Sequence, residues 1–438
     1  MKRVLFLAYF FPPLGGGGCQ RTLKLVRYLE PLGYAAAVVT VRDPDYWILD
    51  PTLAAEVPAS AEVLRVSGFT AHRALRWLRG AGVGAEEVQG TRRRGTFGAL
   101  RALQSMFLVP DGFTGWAREA GRAGARRIEQ GGIDALWTTS SPESAHVAGL
   151  ALKRRFRLPW VADFRDPWVG RATYHPPTPL HDRAHRELER AVLESADRVT
   201  MVSEAMIEEY RKRYPGLPED RLVLLPNGFD ADDFRRAEAL PADRTAADRS
   251  RFLLLHAGQL AHRPTVGTVL EAVRRLRAEE PGISDRLRVR FLGGNEELDP
   301  RDAARGDLAP MLELKPSVAH LESLAAMRDA EALLLLGHGG RGDALIYTGK
   351  IYEYLASGRP ILAVLDPGPA ADLIRRLEAG VVVRPGDVAG VLSALRDWLS
   401  RFARGERLGT RIPEPALRGL DRREAAARAA SVLGRITG

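Results

Sequence analysis

Lys350 and Glu353 stand three positions apart in the run Tyr347-Thr348-Gly349-Lys350-Ile351-Tyr352-Glu353-Tyr354-Leu355-Ala356-Ser357-Gly358-Arg359-Pro360. On a helix this spacing puts an ammonium and a carboxylate on one face. The ammonium can neutralise a phosphate, and the carboxylate can accept two hydroxyl hydrogen bonds, as a ribose 2′,3′-diol requires. An ordinary surface ion pair would use the same two residues. The helix is signalled by Ile351, Tyr354 and Leu355 at helical spacing, with Gly358 and Pro360 stopping it ahead of an apolar strand over residues 361–365.

A second candidate is the loop Gly15-Gly16-Gly17-Gly18. It follows the apolar residues 4–8 and precedes an amphipathic helix carrying Leu23, Val26 and Leu29, with a stop at Gly33. A strand, a glycine loop and a helix N-terminus form an anion site, because bare amides can approach the ligand and the helix dipole favours negative charge. Neither standard nucleotide fingerprint is present: no Gly-Lys-Ser/Thr follows, and Gln20 stands where a dinucleotide motif has its third glycine. A flexible lid would use the same glycines.

The third candidate is Asp163-Phe164-Arg165-Asp166-Pro167-Trp168, a polar knot after the short strand 160–162, where open α/β sheets place ligands. An Asp–Arg pair that pins the loop would satisfy the same residues. Ser140-Ser141-Pro142-Glu143 starts a helix after the strand 134–138 and carries His146 in its first turns. A hydrogen-bonded structural histidine is the plainer reading of His146. We take His146, Asp163 and Asp166 as candidates for orienting an acceptor.

These sites need a scaffold, and the rest of the chain supplies one. Strands are expected over 35–41, 199–202 and 222–226, then a polar stretch without apolar periodicity over 230–250. Beyond it the pattern restarts with strands over 252–256, 289–292, 332–336, 361–365 and 381–383. Strands alternating with helices on both sides of a linker predict two doubly wound α/β domains with parallel sheets. A ligand would sit between the carboxyl ends of the two sheets. The expected division is 1–229, a linker over 230–250, 251–412, and a C-terminal helix over 413–438.

A length of 438 residues favours two domains. Apolar content of 45% with 27% charged residues describes a globular protein, and the single cysteine, Cys19, excludes a disulfide scaffold or a cysteine-built zinc site. No apolar run is long enough to span a bilayer, and Met1-Lys2-Arg3 leads into a strand without a cleavage pattern, so a cytoplasmic location is expected. The net charge of +9 fits phosphorylated ligands, an anionic membrane surface or nucleic acid, and a GC-rich genome would also enrich arginine. Over residues 71–127, Trp77, Phe97, Phe107 and Trp116 alternate with Arg73, Arg76, Arg79, Arg92, Arg93, Arg94 and Arg101. That mixture suits peripheral contact at the inner membrane face, or a solvated arginine face with aromatics turned inward. No helix-turn-helix, zinc or aromatic RNA-binding signature supports a nucleic-acid partner.

Together with Leu225-Pro226-Asn227-Gly228-Phe229-Asp230, His256-Ala257-Gly258 and Phe291-Leu292-Gly293-Gly294, these motifs occur in an order that resembles family 4 retaining glycosyltransferases of the GT-B fold, from Val4 to about Trp398. The resemblance implies two Rossmann-like domains facing across a cleft, with donor binding mainly by the second and acceptor binding by the first. It also implies that Glu353 holds the nucleotide ribose and that Gly16 and Gly17, with Gly258 and Thr348, meet the donor, while Arg263 and Lys350 neutralise its diphosphate. The family's glutamate pair is broken, because Leu345 stands at its first position, leaving Asp343, Thr348 or Lys350 as substitutes. Gln259 stands where many relatives carry an arginine, which makes Arg263 the replacement candidate. The implied reaction moves a sugar from a nucleotide-diphosphate sugar to a hydroxyl acceptor with retained anomeric configuration, in polysaccharide, glycolipid or natural-product glycosylation. It needs no metal and no cofactor beyond the donor, and no enzymic nucleophile is identified. A nucleotide-sugar epimerase of the same fold and a non-catalytic nucleotide-sugar-binding protein are the alternatives.

Overall fold

The apolar runs pair as two all-parallel sheets. In the computed structural model, which describes residues 1–43, 49–68, 106–171, 174–241, 244–245, 248–258, 260, 265–293, 306–337, 345, 347 and 349–438, the chain divides into two units. The first joins Met1–Asn227 to Arg422–Gly438, and the second is Gly228–Asp421.

The first unit contains β1 (Lys2–Leu7), β2 (Tyr34–Val41), β3 (Glu62–Val66), β4 (Ala135–Ser140), β5 (Trp160–Phe164), β6 (Arg198–Met201) and β7 (Leu222–Leu224), in the spatial order β3-β2-β1-β4-β5-β6-β7. Val4 of β1 sits opposite Ala36 on one side and Ala135 on the other. The order therefore reverses between β1 and β4, and the crevice at such a reversal is where ligands enter open α/β sheets. Helix α1 (Gly17–Leu29) follows β1, α2 (Thr114–Glu129) precedes β4, and α3 (Ser144–Phe156) follows it, so the glycine loop and His146 flank this switch point. Val4, Phe6 and Val38 pack with Leu23 and Val26 of α1 and with Ala426, Ala429 and Leu433 of the C-terminal helix Arg422–Thr437. The small alanines on that helix let it lie closely along α1.

The second unit contains β8 (Phe252–Ala257), β9 (Leu287–Leu292), β10 (Leu312–Lys315), β11 (Ala332–Leu336), β12 (Ile361–Val364) and β13 (Gly380–Val383), in the order β10-β9-β8-β11-β12-β13. Phe252 and Leu254 enter one core while Leu253 and Leu255 enter another on the opposite face. Both faces are covered, which is why these strands are continuously apolar rather than alternating. The reversal here lies between β8 and β11.

Where a linker is expected over 230–250, the structure has α6 (Ala231–Glu238), capped by the Asp230 carboxylate accepting from the Asp232 amide at 2.9 Å. Asp233 and Ala237 are its buried residues, too small and polar to leave an apolar period in the sequence. Further along, the buried Arg244 donates to Asp329 O, Asp248 O and Arg251 O and pairs with Glu331 at 2.8 Å. The segment thus belongs to the second unit, a correction to the sequence expectation.

Of the aromatics expected on a basic surface, Trp116 is fully buried and Phe107 is 76% exposed. Trp77, Phe97 and the seven arginines named with them lie outside the described residues. Among the described residues no helix is long and apolar enough to cross a membrane.

Candidate functional site

In the second unit Gly258 and Gly293 end β8 and β9, and the Gly258 amide donates to Leu292 O at 2.6 Å. Both have φ of +133°, a region that favours glycine, and a Cβ on Gly293 would lie 2.6 Å from the Gly258 carbonyl carbon. A Cβ on Gly258 would lie 1.1 Å from Lys350 Nζ. The ammonium therefore occupies the space that a side chain at 258 would fill.

Lys350 opens α9 (Lys350–Ala356), whose buried residues are Ile351, Tyr352, Tyr354 and Leu355. Tyr354 fixes the helix on the sheet: its hydroxyl accepts from the Ala257 amide at 2.9 Å and donates to Leu334 O at 3.3 Å. Glu353 lies one turn beyond Lys350, its side chain 14% exposed, with Oε1 3.9 Å from His320 Nε2. The same His320 nitrogen is 3.4 Å from Oδ2 of the buried Asp233. His320 opens α8 (His320–Asp329), so an imidazole stands between two carboxylates from different helices. Sequence reasoning missed His320 and Asp233, the second because its helix reads as linker. Gly258 and Lys350 are thus brought together with Glu353 on the next turn, whereas Arg263, Thr348, Gln259 and Asp343 lie outside the described residues.

The first unit builds its switch point differently. Gly16, at φ +84°, precedes α1 without a side-chain cap, and the amides of Cys19 and Gln20 return to Gly16 O. The first amides of a helix have no intrahelical acceptor and present positive charge. Arg165 adds to it: a Cβ on Gly18 would lie 2.4 Å from Arg165 Nη1, so the guanidinium rests against the first turn of α1. Its Nε donates to Ser140 O and its Nη2 to Ser141 O at 2.8 Å, and its central carbon is 5.8 Å from the Phe10 ring centroid. Burial holds this guanidinium below its usual pKa, with Asp166 and Asp163 pulling the other way. Arg165 was not among the expected site residues, although Gly18 is the signal, since only glycine leaves room for it.

Asp163 has a different role from the one expected. Its Oδ1 accepts from Arg21 Nη2 at 2.6 Å and Thr200 Oγ1 at 2.7 Å, and its Oδ2 from Arg21 Nε at 2.9 Å and Thr139 Oγ1 at 3.0 Å. Burial alone would raise its pKa, but the Arg21 charge and these hydrogen bonds outweigh it and hold the carboxyl below its usual value. Arg21 also donates to Leu225 O, Pro226 O and Asn227 Oδ1, so the Pro226-Asn227 motif is anchored to the same pair. Asp163 is therefore a pin for the sheet end, not a carboxylate facing an acceptor. Asp166 lies in the electrostatic reach of Arg165 and Arg171.

His146 is fully buried, stacked on Phe164 at a centroid distance of 4.5 Å, with Nδ1 2.7 Å from Thr138 Oγ1 and, among the described residues, no hydrogen-bond partner for Nε2. Burial pushes its pKa down to about 3 despite the nearby Asp163, so the ring is neutral at ordinary pH. Beside it, Asp111 accepts from the Ser144 amide at 2.9 Å and the Phe113 amide at 2.8 Å, capping α3. Burial and the neighbouring Glu143 push the Asp111 carboxyl up to about 6, and Glu143 pairs with Arg171. Among the described residues no group of three or more His, Cys, Asp or Glu is placed to hold a metal.

Residues 16–228 match the glycosyl transferase 4-like domain family. Over 226 residues the chain is 29% identical to D-inositol 3-phosphate glycosyltransferase of Geodermatophilus obscurus, covering 49% of this chain and 48% of that protein. The match thus spans about half the length of that relative. Sucrose-phosphate synthase from Thermosynechococcus elongatus superposes with a TM-score of 0.65 at 16% identity, covering 99% of both chains. Anabaena HepE, solved in complex with UDP-glucose, superposes with a TM-score of 0.62 at 14% identity, covering 99% of this chain and 100% of that one. The fold is accordingly that of the GT-B glycosyltransferases, as the resemblance implies.

Proposed function

We propose, from the premise that residues 16–228 form a glycosyl transferase 4-like domain, that this chain moves a sugar from a nucleotide-diphosphate sugar to a hydroxyl acceptor with retention of anomeric configuration. The observation that carries the reading is the Lys350 ammonium seated against the bare backbone of Gly258, one turn ahead of Glu353. A cation beside exposed backbone suits a diphosphate, and a carboxylate one turn away suits a ribose diol. In the first unit, the α1 amides and Arg165 offer a second set of positive groups.

In the reaction, the bond from the sugar's anomeric carbon to the diphosphate oxygen breaks and a bond from the acceptor oxygen forms on the same face. The acceptor's proton passes to the leaving phosphate oxygen. Negative charge grows on the diphosphate as the sugar gains oxocarbenium character, and fixed cations meet that charge without reorganising. Arg263 and Thr348 are carried as further donor contacts, and Asp166 as an acceptor contact. Peripheral contact with an anionic membrane belongs to the same reading, supported by Phe107 and Leu180, large apolar residues 76% and 73% exposed.

The UDP-glucose seen with HepE makes uridine diphosphate the first ligand to try. Calorimetry with uridine, guanosine, adenosine and thymidine diphosphates should find one that binds, with weaker binding in Lys350→Met. If none binds, the reading fails; if sugar is converted without any acceptor, the epimerase takes its place.

A further inference from the structure

We propose that a groove along the sheet edge of the first unit, two strands from the switch point, binds a phosphate-bearing ligand. The groove encloses about 440 Å³ between β3 and α2. That is room for a hexose phosphate or a lipid headgroup rather than for a bare ion. On the helix side Glu119, Ala123, Arg126 and Gln130 recur at helical spacing and form one stripe facing the groove. On the strand side Arg42 follows β2 and Arg65 lies on β3, the outermost strand of the sheet among the described residues.

The electrostatics of these arginines single out an anion. Arg42 donates to Arg65 O at 3.2 Å, and Arg65 donates to Pro12 O at 2.7 Å and Val41 O at 3.5 Å. Among the described residues neither forms an ion pair, and neither does Arg126, whereas their neighbour Arg127 is paired with Glu62 at 2.7 Å. Burial lowers the Arg65 pKa, the mark of a partly desolvated charge without a counter-ion. Three guanidinium groups from three elements, none of them in an ion pair among the described residues, therefore meet one cavity whose lining carboxylate, Glu119, is engaged by Arg122. Planar forks of this kind match phosphate oxygens in pairs. Glu119, itself paired with Arg122 at 2.6 Å, and Gln130 supply acceptors for the hydroxyls of a sugar attached to that phosphate.

A soluble sugar phosphate and an anionic lipid headgroup present the same chemistry, so the test has two arms. A hexose 6-phosphate is titrated into the full chain by calorimetry at low salt. In parallel, the chain is co-sedimented with phosphatidylcholine vesicles with and without phosphatidylglycerol. The variant is Arg42→Gln with Arg126→Gln, both exposed residues outside the buried core, and its urea unfolding is expected to match the wild type. We expect it to weaken one arm about tenfold or more, the loss of two charge-assisted contacts, and the affected arm names the source. Binding in neither arm, or binding equal in wild type and variant, overturns the proposal and leaves the arginines as guards of a sheet edge. Nucleoside diphosphate binding, read in the same samples, should be unchanged by the variant. The donor reading and this one can therefore fail separately.

Discussion

Two switch points, one in each sheet, handle the same problem of exposed backbone in opposite ways. In the second unit two glycines meet at the strand tips and a lysine from a helix fills the space above one of them. In the first, the polar residues that look most reactive, Arg21 and Asp163, are turned inward and tie together four strand ends, while a plainer arginine, Arg165, rests against the helix amides. The contrast teaches that charge at a strand end is not by itself a ligand site. A charge whose hydrogen bonds all return to the fold, as those of Asp163 do, holds the strand ends together, whereas one set over side-chain-free backbone, as Lys350 is, stands where the proposed donor would meet it.

The contrast breaks most readily at Asp163. Asp163→Ala leaves Arg21 buried and unpaired, which should cost about 3–5 kcal/mol in urea unfolding of the full chain. A loss below about 1 kcal/mol would put Asp163 on the ligand side instead. Lys350→Met should weaken the preferred nucleoside diphosphate by about 2 kcal/mol, or roughly thirtyfold by calorimetry, with unfolding little changed. Glu353→Ala should cost about tenfold in the same titration, and an unchanged affinity would remove it from the site.

The pH profile sharpens the account of the first unit. His146 is driven from 6.5 down to about 3, so the stability it contributes is complete above pH 6.5 and is lost as pH falls toward 3. Asp111 is driven from 3.8 up to about 6, so it removes stability as pH rises through that range and restores it on acidification. Each slope is at most about 1.4 kcal/mol per pH unit, and between about pH 4 and 6 they oppose one another. Asp111→Asn should uncover the histidine slope and His146→Phe the aspartate slope; identical unfolding-versus-pH curves for the two variants would contradict both assignments. Last and smallest, glycosyl transfer in excess chelator should proceed at the untreated rate, and its loss would point to a metal in the reaction.

The fold was largely legible because both sheets are buried on two faces, so their strands stand out as apolar runs such as 252–256 and 332–336. What escaped was polar by construction. Residues 230–250 read as a linker because α6 buries an aspartate and an alanine, and Arg244 holds the rest through backbone carbonyls. At the sites, the pairing of Gly258 with Lys350 follows the sequence motifs, because the buried period of Ile351, Tyr354 and Leu355 fixes which way Lys350 faces. The roles of Asp163 and Arg165 are reversed from expectation, since spacing within one loop could not reveal that Arg21, distant in sequence, takes the aspartate. His320 lacked any local signal and acquires its neighbours only through tertiary packing.

The C-terminal helix Arg422–Thr437 completes the core on which α1 lies, yet it is synthesised after the entire second unit. During translation the first unit must therefore wait, with Leu23 and Val26 uncovered by Leu433 and its alanines, until the final turns leave the ribosome. Cutting the gene at residue 227 would release a nascent domain with an oily stripe exposed to chaperones, whereas a circular permutant that places 422–438 ahead of Met1 would restore the missing cover early.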